Sequence, residues 1–148
     1  MNSIRRIYVT ISVVFFLLGG IAPSADSDDY TGASVTVIKK ATITADGRKM
    51  EYLKTDKPEV TALLVELRPG NETGWHVHPV PVYAYVLSGV LTAEMGNGER
   101  RDYKEGEAIF EAVNTPHNGK NLGKIPVELM VFYTGEEGKP VTVRVQHE

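Results

Sequence analysis

From Ser34 onward the apolar residues fall into short runs rich in β-branched and aromatic side chains, broken by Gly, Pro, Asn and charged clusters. That pattern predicts strands over Ser34–Ile38, Ala41–Thr44, Thr61–Leu67, Gly74–His78, Val82–Leu87, Val90–Met95, Ala108–Glu111, Val127–Tyr133 and Val141–Val145. Turn chemistry falls between them at Pro69-Gly70-Asn71, Ser88-Gly89, Gly96-Asn97-Gly98, Asn114-Thr115-Pro116 and Gly135–Gly138. No stretch of this region keeps a 3.6-residue apolar period over the roughly 11 residues that identify a helix. The expected fold is all-β, a sandwich or barrel of short strands.

The first residues follow another pattern. Arg5 and Arg6 precede an apolar run from Ile7 to Leu18, followed by Gly19-Gly20, Ala22-Pro23-Ser24-Ala25 and the acidic stretch Asp26–Asp29. A basic start, a short apolar core and small residues at its exit describe a secretory signal peptide. Cleavage is placed after Ser24, because Ala22 and Ser24 supply the small side chains at the two positions a signal peptidase reads. The apolar run is shorter than the roughly 20 residues a spanning helix needs, so no stable membrane anchor is expected after cleavage. The organisation is then a signal peptide at 1–24, a polar disordered leader at 25–33 and a β-barrel domain at 34–148. Export implies a periplasmic or secreted protein.

Composition narrows the chemistry. The 148-residue chain has 42% hydrophobic and 24% charged residues, as one globular domain does. Its net charge of -3 provides no basic footprint, so nucleic acid is not an expected partner. With no cysteine there is no disulfide framework, thiolate metal site or Cys nucleophile. The chemistry falls to His, Asp, Glu, Tyr and the backbone.

Three of the four histidines stand out. His76 and His78 lie two apart in Gly74-Trp75-His76-Val77-His78, so on a strand both point to one face while Trp75 and Val77 point to the other. Two imidazoles side by side chelate a metal if a third ligand arrives from another strand, and His117, after the turn Asn114-Thr115-Pro116, is the candidate. His147 lies beside the C-terminus, where chains fray, and is read as solvated.

On these residues the sequence resembles the cupin superfamily. The first cupin motif reads here as Gly70, Gly74-Trp75-His76-Val77-His78-Pro79 and Tyr85-Val86-Leu87-Ser88-Gly89. The second reads as Gly106-Glu107-Ala108-Ile109-Phe110, Thr115-Pro116-His117 and Asn121-Leu122-Gly123. The resemblance implies a small single-domain double-stranded β-helix, a barrel of the jelly-roll type, holding one divalent metal. It departs from the motif at one ligand. The family's Glu falls four residues after the second His, and that position is Val82; no Asp or Glu occurs from Thr73 to Ala93.

Three imidazoles can hold Fe(II), Zn, Mn, Ni or Cu, and do not choose among them. Among cupins without the Glu, the resemblance points to thiol and diketone-cleaving dioxygenases, which favours Fe(II). The function expected is a mononuclear three-His oxygenase acting on a small chelating or anionic molecule. The alternative is a non-enzymatic cupin that binds or senses such a molecule. Two residues are candidates to replace the missing group and to act in catalysis. Tyr83 neighbours the vacant position and is otherwise barrel wall; Glu111 leads into the second motif and is otherwise an outward-facing strand residue. A pocket lined by Leu63, Val65, Leu67, Val82, Leu87, Phe110, Val127, Leu129 and Val131 is expected, and so is a homodimer paired through edge strands.

Overall fold

The computed structural model describes residues 31–146. The expected signal peptide, most of the leader, and His147 lie outside the described residues. The chain divides into two units, 1–35 and 36–148, and the architecture below is that of the second.

Nine strands and no helix occur among the described residues: β1 (Pro58–Leu67), β2 (His76–Val77), β3 (Val82–Ser88), β4 (Val90–Met95), β5 (Arg100–Lys104), β6 (Ala108–Glu111), β7 (His117–Lys120), β8 (Val127–Glu136) and β9 (Val143–Arg144). They form two antiparallel sheets, one in the order β1-β8-β3-β6 and the other β5-β4-β7-β2-β9. This is the expected all-β jelly-roll barrel. The alternation that builds it is clearest in β8, where Val127, Leu129, Val131 and Tyr133 are buried between less buried neighbours. On β3, Val82, Ala84 and Val86 do the same. These residues pack against Leu91, Ala93 and Tyr103 of the other sheet, and the core lies between the two.

Two turns need their residue types. Gly89 joins β3 to β4 at φ 77°, and a Cβ there would sit 2.6 Å from the Pro126 carbonyl oxygen. Asn114 takes φ 55° in the turn before His117, and its N–H donates to the carbonyl of His78 at 2.8 Å. Asn tolerates the left-handed region better than most side chains. That bond ties the turn carrying one histidine to the strand end carrying another.

The structure departs from expectation at several elements. Ser34–Ile38 forms no strand, and Val35, Val37 and Ile38 are exposed. Ala41–Thr44 is one arm of a tight turn with a single bridge, Ile43 to Lys49, closed by the Thr44 N–H donating to the Arg48 carbonyl. This turn docks on the barrel end through Ala45, whose N–H donates to the Phe110 carbonyl at 2.7 Å. Strands β5 and β7 were not expected. β5 is an edge strand paired only with β4, so its charged residues face water and only Tyr103 is buried. β7 is polar for a different reason, described next.

Candidate metal centre

Strand β7 carries a histidine, an asparagine and a glycine into the interior, all buried. Its first residue, His117, is the direct cross-strand partner of His76 on β2. Paired residues on antiparallel strands share a face, and the ring centroids of these two lie 4.3 Å apart. The two-residue period carries His78 to the same face, 4.7 Å from His76 and 5.0 Å from His117 between centroids. All three are less than a tenth exposed. One ring nitrogen from each falls in a group whose atoms all lie within 4.8 Å of one another.

The rings are held by the main chain. Nδ1 of His76 lies 2.7 Å from the Gly74 carbonyl, Nδ1 of His78 is 2.8 Å from that of Val141, and Nδ1 of His117 is 2.9 Å from that of Thr115. A carbonyl oxygen only accepts, so each Nδ1 carries the hydrogen and each Nε2 presents a lone pair when the ring is neutral. Metal-binding histidines are oriented in this way. The donor set therefore fits a divalent ion: three converging imidazole lone pairs in a buried site.

Glu111, on β6, stands beside two of the three. Its Oε2 lies 3.1 Å from Nε2 of His78 and 3.5 Å from Nε2 of His117. That oxygen is buried with no hydrogen-bond partner, while the side chain as a whole keeps 18% exposure. With every Nδ1 already donating, Nε2 can donate to Glu111 only if a ring takes a second proton. Burial alone pushes the Glu111 carboxyl up, but His117 and His78, which when protonated donate to it and add their charge, outweigh burial and hold the group well below the usual carboxylate range. Burial likewise pushes His117 down, and the Glu111 carboxylate outweighs it, so His117 titrates above its ordinary value. For His76 burial dominates over the Gly74 hydrogen bond, and its pKa falls to about 4. Without metal the pocket is an anion beside a protonatable His117, with His76 neutral.

Of the two candidates to stand in for the missing carboxylate, the structure brings Glu111 to the histidines and leaves Tyr83 outside. Tyr83 lies on the outer face of β3, its ring edge-on to Phe110 at 5.8 Å, in an outer cleft with Tyr52 and Pro81. The expected lining changes accordingly. Val65, Leu129 and Val131 do line the chamber around the histidines, whereas Leu67, Val82 and Val127 are buried in the core without lining it. Phe110 faces outward with Tyr83, Leu63 is exposed on edge strand β1, and Leu87 is exposed because the period that turns Val82, Ala84 and Val86 inward turns it outward. Tyr133 was not anticipated: it is buried, lines the chamber and packs its ring 5.2 Å from that of His78. Its parity with Leu129 and Val131 along β8 was the available signal. Burial, and after it the charge of Glu111, pushes its phenol up, so it stays protonated.

The chamber is small, about 80 Å³. Glu111 and Ala112 form the partition it shares with the outer cleft, about 490 Å³, which also carries Arg48 and Lys49.

Residues 63–133 match the family model of the cupin domain. The chain thus carries a cupin domain, with a three-histidine group placed to hold a metal. A search of curated proteins finds no match. Among solved structures, a DMSP lyase from Ruegeria pomeroyi is similar at 21% identity and TM-score 0.53, over 60% of this chain and 44% of the lyase. The polyketide cyclase from Streptomyces resistomycificus is similar at 23% identity and TM-score 0.51, over 59% of this chain and 62% of the cyclase. An oxalate decarboxylase from Lactobacillus farciminis is similar at 18% identity and TM-score 0.51, over 58% of this chain and 26% of the decarboxylase. The chain spans less than two thirds of each, and the likeness is one of fold.

Proposed function

We propose that this is an exported cupin oxidoreductase that holds one divalent metal, Fe(II) before Zn, Mn, Ni or Cu, through His76, His78 and His117. Its substrate is a small chelating or anionic molecule. The observation that carries the reading is the convergence of three buried Nε2 atoms, each ring fixed by its own carbonyl, on a chamber walled mainly by apolar side chains. A metal bound there supplies Lewis acidity and open positions for ligands. The chain supplies the rest. Val65, Leu129 and Val131 exclude water, Tyr133 offers a protonated phenol beside His78, and the chamber's 80 Å³ admits only the reacting end of a substrate. The remainder of a larger molecule would lie in the outer cleft, where Arg48 and Lys49 suit an anion.

The test is the metal content of protein taken from its native compartment, followed by oxygen uptake with small thiols, diketones and 2-oxo acids. The expected result is one equivalent of metal and uptake with one of these classes, both lost in His117→Ala and both kept in His147→Ala. Metal-loaded protein that retains a small acid without consuming oxygen would establish the binding or sensing reading instead.

A further inference from the structure

We propose that Glu111 is the fourth metal ligand, a carboxylate delivered from β6 to the place where the first cupin motif would deliver one from β3. The proposal rests on the reading of the three histidines as ligands. It starts from register. Val82, which holds the motif's Glu position, is the direct cross-strand partner of Glu111. Side chains so paired stand on one face with Cβ atoms about 5 Å apart, a gap that a Glu side chain spans. Val82 is 1% exposed and pairs on its other side with Tyr133, which lines the chamber. Val82 itself does not line the chamber, but its partners on both sides, Glu111 and Tyr133, do, so the longer carboxylate side chain from β6 reaches the site that the short Val82 side chain on β3 does not.

The second observation is the orphaned atom. Oε2 of Glu111 is buried, has no hydrogen-bond partner, and faces Nε2 of His78 and of His117. Their Nδ1 atoms already donate to carbonyls, so whenever both rings are neutral, carboxylate and imidazoles present lone pairs to one another, and only a second proton on a ring or a metal ion relieves the clash. Acceptors so arranged repel unless a cation lies among them, and an unpaired buried charge is costly. A divalent ion satisfies all of them at once. On this proposal the site would differ from an all-nitrogen one: the carboxylate would cancel one unit of the ion's charge and leave fewer positions open. A bidentate substrate would then fill the open positions.

The experiment measures Mn(II) dissociation constants of the full chain by the EPR signal of free Mn(II), with melting temperature recorded alongside. Glu111→Gln keeps shape and removes charge; it should weaken Mn(II) binding about 10- to 100-fold or more, since even outer partners of ligands are worth that much. Val82→Glu/Glu111→Val moves the carboxylate back to β3 and should recover most of what Glu111→Val loses. Glu111→Gln binding within about threefold of wild type, while His117→Ala has lost Mn(II), would overturn the proposal and leave the three-histidine reading standing. If His117→Ala binds as wild type does, both fall. A swap that melts with wild type yet binds no better than Glu111→Val would overturn the positional equivalence on which the proposal is built.

Discussion

Asn121, just beyond β7, is fully buried and holds two parts of the chain to each other. Its Nδ2 donates to the carbonyls of Leu67, at the end of β1, and Ile125, at 2.7 and 2.8 Å; its Oδ1 accepts from the Gly123 N–H at 2.9 Å. Replacing it by Ala removes all three bonds, each worth about 1 kcal/mol net. Water can reach Gly123 and Ile125, which are exposed, but not Leu67, which is 7% exposed. The unpaired Leu67 carbonyl adds about 1 kcal/mol or more. A loss of about 4 kcal/mol follows, or about 15 °C in Tm for a domain of this size. The assay is thermal denaturation of metal-free protein by circular dichroism, because bound metal would add its own stabilisation. Asn121→Asp sharpens it: the acceptor towards Gly123 survives, but a second oxygen now faces two carbonyls. This variant should melt no higher than Asn121→Ala. A drop of less than about 3 °C in Asn121→Ala, or a markedly milder Asn121→Asp, would refute the clamp.

Metal uptake near pH 7 should release protons, because His117 titrates above its ordinary value beside Glu111 and must give up its Nε2 proton to ligate, whereas His76, at about 4, is already neutral. Affinity should rise with pH until His117 is deprotonated and then level off, and calorimetry in two buffers of different ionisation enthalpy should count up to about one proton. Gly89→Ala should cost more than about 2 kcal/mol, combining φ 77° with a Cβ 2.6 Å from the Pro126 carbonyl; an unchanged denaturant midpoint would show that the turn relaxes freely. For export, the intact mass of protein from the periplasm should lack Met1–Ser24, and a mass that includes them would mean an uncleaved or retained precursor.

What could be read from sequence follows how local each feature is. The His76-Val77-His78 pair needs only the two-residue period of a strand, and the Pro116 turn singles out His117 as a candidate third ligand without revealing its strand; the structure brings the three together. β8 and β3 declare themselves by alternation. β7 does not, because its interior residues are a ligand candidate, an asparagine bonded to Glu72 and a glycine under Leu91, so its burial leaves no apolar trace. β5 is masked by the charges an edge strand carries. The orientation of Glu111 is a matter of long-range register: Ile109-Phe110-Glu111 permits either face inward, and pairing with β3 decides it. Ser34–Ile38 shows the opposite failure, a β-like composition with no strand to pair with.

The three imidazoles are each tethered to a main-chain oxygen, of Gly74, Val141 and Thr115, with the Thr73 hydroxyl 3.4 Å from Nδ1 of His76 and the Thr142 hydroxyl 3.1 Å from Nδ1 of His78 as the side-chain neighbours. An acceptor that belongs to the backbone survives most substitutions of the residue carrying it, so the tautomer of each ring is insulated from point mutation. A lineage varying this protein therefore has few single-step routes to retuning the imidazoles. The evolvable positions are the ones whose chemistry resides in a side chain, Glu111 and Val82 above all, and selection for a different metal or reaction would act there first, between two neighbouring strands.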